Sequence, residues 1–399
     1  MALDMHLEPE EALILQERGL AQTLFHFLVQ CAKQERLLYS AKGVLPKKQL
    51  QKLLQEPSLG GEVLRRTGLS FTAKDAYEPL VAVLLESAYK LNILLPDDQG
   101  IFIDLSALGR WLQLYYDMQE AELYKHWRQL YLPAPAWLHH CMILIENSAE
   151  QAQEAWHSLN DIAAAAVDMQ SWDDGLSKEQ VMSALLEQWI RPLQLFRWLE
   201  LAVDKQGGLW FHVLVDMSFS DRNNNCFSLQ KNMDEKPGHS ATFYVQPDFE
   251  LILPPDVPPS IEWEIASFAE LLTSDAVRMY RINRESLKAC ESGYSAASVS
   301  TFLMEYACFE VPEVIPTTLH QWEQQLGKLY FEEVTLLRCK SAELAELVEK
   351  HPSCQPYLQE KSERRTSESK KNISRKYRLS SKKWAIIPKN AAKACCIFY

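Results

Sequence analysis

Apolar residues recur every three or four positions through much of the first 130 residues, a spacing that predicts helices. KKQLQKLL, at Lys47–Leu54, predicts a short amphipathic helix that Pro46 opens. Asp75 is expected to cap a longer helix that runs from Tyr77 to Ala88. Leu91–Asp104 then predicts two short strands around a Pro-Asp-Asp-Gln-Gly turn. Helix, turn, helix, longer helix and hairpin is the order of a winged helix-turn-helix.

A second copy of that ending is predicted further along the chain. Leu176–Trp189 is expected to form a helix that starts near Ser177, and Pro192 opens another helix. Asp204–Val213 supplies a turn and a strand, and its Asp-x-Gln-Gly sequence repeats that of Asp97–Gly100. A helix over about 150–167 is expected to precede this copy.

The pattern changes after a polar stretch at 218–240, which predicts a boundary between domains. ATFYVQPDFELILP, at 241–254, predicts a strand, a turn and a strand. The later predicted elements are helices at about 261–277, 284–290, 296–308 and 316–327, a pair of strands at 328–337, and a helix at 341–350. The expected fold is therefore α+β and mainly helical, with a winged unit at 1–130, a helical region at 131–220 for which a second winged unit is one interpretation, and a small α/β domain at 241–360.

Charge divides the chain into two unlike parts. The net charge is -12, from 41 Lys and Arg against 53 Asp and Glu. Residues 361–399, the tail, carry 12 Lys and Arg against two Glu, so the remainder is strongly acidic. This balance disfavours a protein that coats nucleic acid by bulk positive charge. The tail is interpreted as a disordered basic arm, a lipidation signal at Cys396, or the product of a frame shift near 362, which translating the gene's other frames would test.

Signals for targeting and catalysis are weak. No apolar run is long enough for a membrane span, the acidic N-terminus disfavours export, and the nine cysteines favour reduced thiols, so a cytoplasmic protein is expected. There is no phosphate-binding G-x-x-x-x-G-K-[ST] sequence, which predicts a chain without an ATPase and without a cofactor. His139-His140-Cys141 lacks a partner cluster, so no metal is expected there.

Four lysines form the leading candidate for nucleic-acid contact. Lys42, Lys47, Lys48 and Lys52 flank and enter the short helix at 47–54, where they could reach phosphates. The alternative is a solvated helix face without a ligand.

One segment carries a family resemblance. FYVQPDFELILP at Phe243–Pro254, YRINRESL at Tyr280–Leu287 and GYSA at Gly293–Ala296 resemble the N-terminal domain of XPB-type helicases, which also occurs in bacterial helicase-associated proteins. In XPB helicases this domain precedes a motor and contributes to the engagement of DNA. Because no motor follows here, the resemblance implies an accessory role.

Cations within the resembling segment give a second candidate surface. Arg278, Arg281, Arg284 and Lys288 are predicted to form a phosphate-facing patch near one helix start. The alternative is salt bridges to Glu264, Glu270 or Glu285.

The leading functional hypothesis is a non-catalytic, helicase-associated accessory protein that binds DNA or RNA. A second hypothesis is a scaffold that docks a separate helicase or ATPase without binding DNA itself. A third, an enzyme, would require a motor from another chain.

Overall fold

The computed structural model describes fifteen segments of the chain. These are residues 8–9, 19–34, 36–40, 43–53, 60–69, 76–132, 134–151, 155–168, 176–217, 242–274, 277–289, 294–325, 335–338, 358–363 and 375–379. The chain divides into two compact units, Met1–Glu323 and Gln324–Tyr399. The predicted boundaries near 130 and 240 fall within the first unit and the boundary at 360 within the second, so these domain limits stay predictions. In the described residues no helix is long and apolar enough to cross a membrane.

The first module is a helical cluster closed by a three-stranded antiparallel sheet of order β2-β4-β3. Its elements are α1 (Leu20–Ala32), β2 (Leu37–Leu38), α2 (Lys47–Leu53), α3 (Gly61–Arg66), α4 (Pro79–Lys90), β3 (Leu94–Pro96) and β4 (Gly100–Ile103). The predicted helix at 47–54 and the predicted hairpin at 91–104 are confirmed.

Helix α4 starts later than the sequence pattern predicts. Its cap is Glu78, whose Oε2 accepts hydrogen bonds from the backbone N–H of Leu80 at 3.0 Å and of Val81 at 3.3 Å. Asp75 lies outside the described residues. Because Pro79 has no N–H to satisfy, it fits the first turn, and the glutamate replaces the shorter side chains usual at this position.

Helices α5 (Leu105–Leu112), α6 (Tyr116–Leu130) and α7 (Ala136–Gln151) connect the first module to the second. One face of α6 carries a polar side chain at every fourth residue. These are Tyr116, which bonds Glu262, Glu120, which bonds Trp198, and Tyr124 and Arg128, which both bond Glu146. Residues four apart lie on the same side of a helix, so this stripe holds separate parts of the chain against α6.

The second module, like the first, places a strand before a series of helices and a hairpin after them. It comprises β5 (His157–Ser158), α8 (Leu159–Asp168), α9 (Lys178–Leu185), a π-helical turn (Leu186–Ile190), α10 (Arg191–Leu195), β6 (Leu199–Val203) and β7 (Leu209–Val213). Its antiparallel sheet has the order β1-β6-β7-β5, with β1 (Glu8–Pro9) on the outer edge of β6.

The two modules also share hydrogen bonds at equivalent places. Each hairpin follows a residue with positive φ, Asn92 in the first module and Arg197 in the second. The next N–H then bonds a carbonyl five residues back, from Ile93 to Ala88 at 2.9 Å and from Trp198 to Leu193 at 2.8 Å.

The hairpin turns of both modules use the same aspartate contact. In the first module, Asp97 Oδ1 accepts the backbone N–H groups of Gln99 and Gly100. In the second, Asp204 Oδ1 accepts those of Gln206 and Gly208. The repeated turn sequence therefore has the same structural role in both modules.

Three predictions around the second module need correction. The helix expected over about 150–167 is confirmed only from Leu159 onward, because α7 ends at Gln151 and β5 precedes α8. The two helices expected at 176–189 and from Pro192 are one continuous helical path through the π-helical turn. Strand β6 was not anticipated, because a short apolar run does not distinguish a helix from a strand.

The third module consists of β8 (Tyr244–Val245), β9 (Glu250–Leu253), α11 (Pro259–Phe268), β10 (Glu270–Ser274), β11 (Arg278–Arg281), α12 (Arg284–Ala289), α13 (Ala296–Tyr306) and α14 (Val314–Gln325). Its antiparallel sheet has the order β10-β11-β9-β8. The helix expected at 261–277 is wrong beyond Phe268, because 270–274 pairs with β11. This pairing partner is invisible to a pattern of apolar spacing.

The second compact unit contains a three-stranded antiparallel sheet of order β12-β14-β13. Its strands are β12 (Thr335–Arg338), β13 (Leu358–Glu363) and β14 (Arg375–Leu379). Within the tail, the structure thus describes 361–363 and 375–379 as strand. The predicted helix at 341–350 lies outside the described residues. The whole fold is mixed, mainly helical with small antiparallel sheets, as the sequence predicts at that level.

The start of α1 depends on a carboxylate from α6. Glu120 Oε1 accepts the backbone N–H of Ala21 at 2.9 Å, and its Oε2 accepts Trp198 Nε1–H at 2.8 Å. Gly19 leaves room for this contact, since an added Cβ would lie 2.0 Å from Oε1. Glu120 therefore joins α1, α6 and the start of β6.

We predict that Gly19→Ala lowers the free energy of unfolding by about 1–3 kcal/mol, because the new methyl group displaces the Glu120 carboxyl group from its hydrogen bonds and leaves the donors unsatisfied. Urea unfolding monitored by tryptophan fluorescence measures the change. Gly109→Ala is the matched control, because an added Cβ there meets no atom within 4 Å and alanine favours a helix. Equal stability of the two variants would contradict the role of Gly19.

A second prediction concerns pH. Burial raises the pKa of the Glu120 carboxyl from its ordinary value of 4.5 to about 7, against the opposing effect of its hydrogen bonds to Trp198 and Ala21. The folded state then binds the proton more tightly than the unfolded state does. The stability that the folded state gains from this tighter proton binding is fully present below pH 4.5. It is lost as the pH rises to about 7.

Glu120→Gln removes the titrating carboxyl group. It also places an NH₂ group, which cannot accept a hydrogen bond, opposite the Ala21 N–H or the Trp198 Nε1–H. We expect the wild type to be more stable than the variant at about pH 5, with a difference that narrows by up to about 1.4 kcal/mol per unit of pKa shift as the pH rises to about 8. Urea unfolding at a series of pH values tests this. A difference that stays constant or widens would contradict it.

Candidate nucleic-acid interface

Helix α2 presents three lysines to solvent. Lys47, Lys48 and Lys52 are exposed, while Leu53 on the same helix is buried. Lys48 and Lys52 are four residues apart and so project from one side. Among the described residues, none of the three lysines has an ion-pair partner. The three ammonium groups can therefore contact an external anion.

Hydrogen bonds hold the approach to α2. The Tyr77 hydroxyl accepts the backbone N–H of Leu45 at 3.0 Å, and Gln49 Nε2 donates to Gln34 Oε1 at 3.1 Å. Gly43 has a φ of +73°, which only glycine adopts readily, and it turns the chain ahead of the helix. Lys42, the fourth predicted lysine, lies outside the described residues.

The structure does not bring the four predicted cations of the third module together as a phosphate-facing patch. Arg278 is fully buried, so the expectation that it faces phosphate is wrong. Arg281 is exposed but forms an ion pair with Glu250. Arg284 is exposed at the start of α12, and the side chain of Lys288 lies outside the described residues. Arg278 and Arg281 belong to a strand and not to a helix start.

The partner of Arg278 is a buried carboxylate on α11. Arg278 Nε lies 2.9 Å from Glu262 Oε1, and both side chains are fully buried. The Nε–H does not meet hydrogen-bond geometry along this contact, so the attraction is ionic. Arg278 Nη2 donates to the Pro254 carbonyl at 3.1 Å.

Two tyrosines complete the surroundings of Glu262. Tyr280 donates to Oε1 and Tyr116 donates to Oε2, each at 2.8 Å. The Arg278 guanidinium also lies 5.6 Å from the centre of the Tyr116 ring. Burial, followed by the Glu262 charge, raises the pKa of Tyr116 far above its ordinary value, so Tyr116 remains a hydrogen-bond donor.

Sequence reasoning missed this network because it expected the arginines to face phosphate, and its alternative named Glu264, Glu270 or Glu285 as partners instead of Glu262. A signal was available in the spacing of α11. Glu262 shares a helix face with buried Ile265 and Ala266, three and four residues later. A carboxylate on an apolar face must find buried donors, which favours Glu262 as the partner.

A cleft of about 380 Å³ lies between α1 and the third module. Its wall includes Lys33, which directly follows α1, and Glu270 and Glu285 from the third module. His26 Nε2 lies 3.2 Å from Ser274 Oγ beside it. Charges of both signs line the cleft, which does not favour a phosphate group.

The structure also places the histidine and cysteine cluster. Cys141 is buried and His139 is exposed, so these neighbouring side chains do not converge. Burial raises the pKa of the Cys141 thiol to about 12, which keeps it protonated. No group of three potential metal ligands occurs among the described residues.

Comparison with known families gives a match to a helicase family. Residues 243–363 are similar to a family described as a helicase conserved C-terminal domain. The match covers about three-tenths of the chain and includes both Glu262 and Arg278. It supports a helicase-related character for this segment. A search of curated proteins gave no match.

We predict that Arg278→Met lowers the free energy of unfolding by about 3–5 kcal/mol, because it leaves the Glu262 carboxylate buried without its cation. Arg281→Met is the matched control, since it removes the same charge from an exposed pair that contributes about 0–1 kcal/mol. Urea unfolding measures both variants. A loss of similar size in both would show that the buried pair has no special weight.

Proposed function

We propose that this chain is a non-catalytic, helicase-associated accessory protein that binds nucleic acid through α2. The observation that carries the proposal is the set of exposed lysines at Lys47, Lys48 and Lys52, which have no ion-pair partner among the described residues, in a chain whose residues 243–363 are similar to a helicase domain. The XPB-type resemblance of the third module supports the accessory role.

The first and second modules are proposed to be winged helices. In both, the strand before the helices pairs with the last strand of the hairpin, giving the sheet orders β2-β4-β3 and β5-β7-β6. The shared helix ends and aspartate turns support a common origin for the two modules. We propose the first module as the one that contacts phosphates, because α8 of the second carries Asp161 and Asp168 at its ends.

Helix α4 precedes the hairpin of the first module, the place of a groove-reading helix in many winged helices. Nine of its twelve residues are buried, so it has no long face free to enter a groove. The proposed contacts are then limited to the lysines of α2, which favours binding to phosphates over hydrogen bonding to base edges. We therefore propose binding with little sequence preference.

The strongly acidic composition limits where binding can occur. Long-range repulsion opposes a polyanion, while lysines within a few ångströms of phosphate still release counterions. Binding should therefore be weak at physiological salt and should strengthen steeply as salt is lowered. Both single-stranded and duplex DNA are proposed as ligands, with RNA included in the test.

We predict that Lys48→Gln with Lys52→Gln weakens binding to a fluorescein-labelled oligonucleotide and lowers the slope of log K against log salt by about 1.4 for single-stranded DNA. Fluorescence anisotropy between about 25 and 200 mM salt measures this. The matched control, Lys178→Gln with Lys205→Gln, removes the same charge from exposed positions of the second module. If the two double variants bind alike, or if the wild type shows no salt-dependent binding in the micromolar range, α2 is not the interface.

The lack of a phosphate-binding loop in the sequence supports a chain without its own motor. ATP hydrolysis by the purified chain would contradict that part of the proposal. A second candidate function is a scaffold for a separate helicase or ATPase. It is favoured by an exposed apolar surface on the third module, which includes Phe309.

A further inference from the structure

The third module exposes four large apolar side chains near the junction of α13 and α14. We name Tyr244, Met304, Phe309 and Val314 the Phe309 surface. Phe309 is 76% exposed and Met304 is 61% exposed. The rings of Tyr244 and Phe309 lie 5.8 Å apart between centres, so they form a paired aromatic contact that faces solvent.

The backbone under this surface is fixed. Thr242 N–H donates to the Tyr306 carbonyl at 2.8 Å, and Cys308 N–H donates to the Phe243 carbonyl at 2.7 Å. Phe243 is buried next to them. The exposed rings are thus held on a structured part of the module, and ordering them on binding would cost little conformational entropy.

The core of the module does not require these exposed groups. On α13, Val299 and Leu303 are fully buried, and Phe302 stacks on Phe243 with ring centres 6.0 Å apart. Large aromatic residues exposed beside a completed core are typical of protein contact sites.

The charged side chains that lie closest to Phe309 along the described part of the chain are acidic. Glu305, Glu310 and Glu313 are exposed within a few residues of Phe309 along the chain. The sequence over 294–325 contains no lysine or arginine. A ligand for this surface must combine apolar side chains with positive charge.

We infer that the Phe309 surface docks an amphipathic segment of a partner protein, in which Lys or Arg residues flank apolar side chains. Nucleic acid is disfavoured, because the three carboxylates repel phosphates. A second copy of the same surface is disfavoured for the same reason, since each copy would bring its own carboxylates. This inference goes beyond the nucleic-acid contact at α2 and does not depend on it.

The test uses the full chain and a fluorescein-labelled 18-residue peptide of leucine and lysine that forms an amphipathic helix. We expect micromolar binding by anisotropy, weakened at least about tenfold by Phe309→Ser. Leu105→Ser is the matched control, because Leu105 is also 76% exposed but lies in α5. It should bind as the wild type does.

Glu310→Lys provides a second variant that leaves the aromatic pair in place and should weaken binding about threefold or more. Both variants should retain oligonucleotide binding, which separates this inference from the proposed role of α2. Equal affinity of the wild type and both variants would overturn the inference. So would equal binding of a peptide with glutamate in place of lysine, loss of DNA binding in Phe309→Ser, or a dimer in sedimentation that Phe309→Ser dissociates.

Discussion

The buried polar stripe of α6 is the constraint on which the first compact unit depends. Tyr116 donates to Glu262 of the third module, and Glu120 accepts from α1 and from Trp198 of the second module. Tyr124 and Arg128 both donate to Glu146 on α7. Each group is costly to bury alone, so the modules must pack together for all of them to be satisfied. The segment similar to a helicase domain is therefore built into a larger body through its residues up to 323.

This packing gives the body two surfaces of opposite character. Lys47, Lys48 and Lys52 lie on a short helix of the first module, while the carboxylates around Phe309 occupy the third module. In a chain with a net charge of -12, local groups and not the total decide which ligand each surface favours. The proposed division is nucleic acid at α2 and a basic protein segment at Phe309. An accessory protein with such a division could hold a partner near nucleic acid without a motor of its own.

The sequence predicts an element correctly where residues close to each other in the chain determine its structure. The hairpin at 91–104, helix α2 and the start of α9 at Ser177 follow from turn and cap residues within a few positions. The burial and pairing of Arg278 could not be predicted, because its partner Glu262 lies 16 residues earlier in the chain. Tyr116, which also bonds Glu262, is on α6. Strand β10 was missed for the same reason, since its pairing with β11 is a tertiary contact. The α2 lysines could be proposed as surface groups from spacing alone.

Hydrogen–deuterium exchange of the full chain, with and without a single-stranded oligonucleotide at low salt, tests the central claim most directly. Binding at α2 predicts slower exchange of backbone amides at 47–53 and unchanged exchange at 304–314. Protection at 304–314, or protection confined to the tail with none at 47–53, would contradict the account.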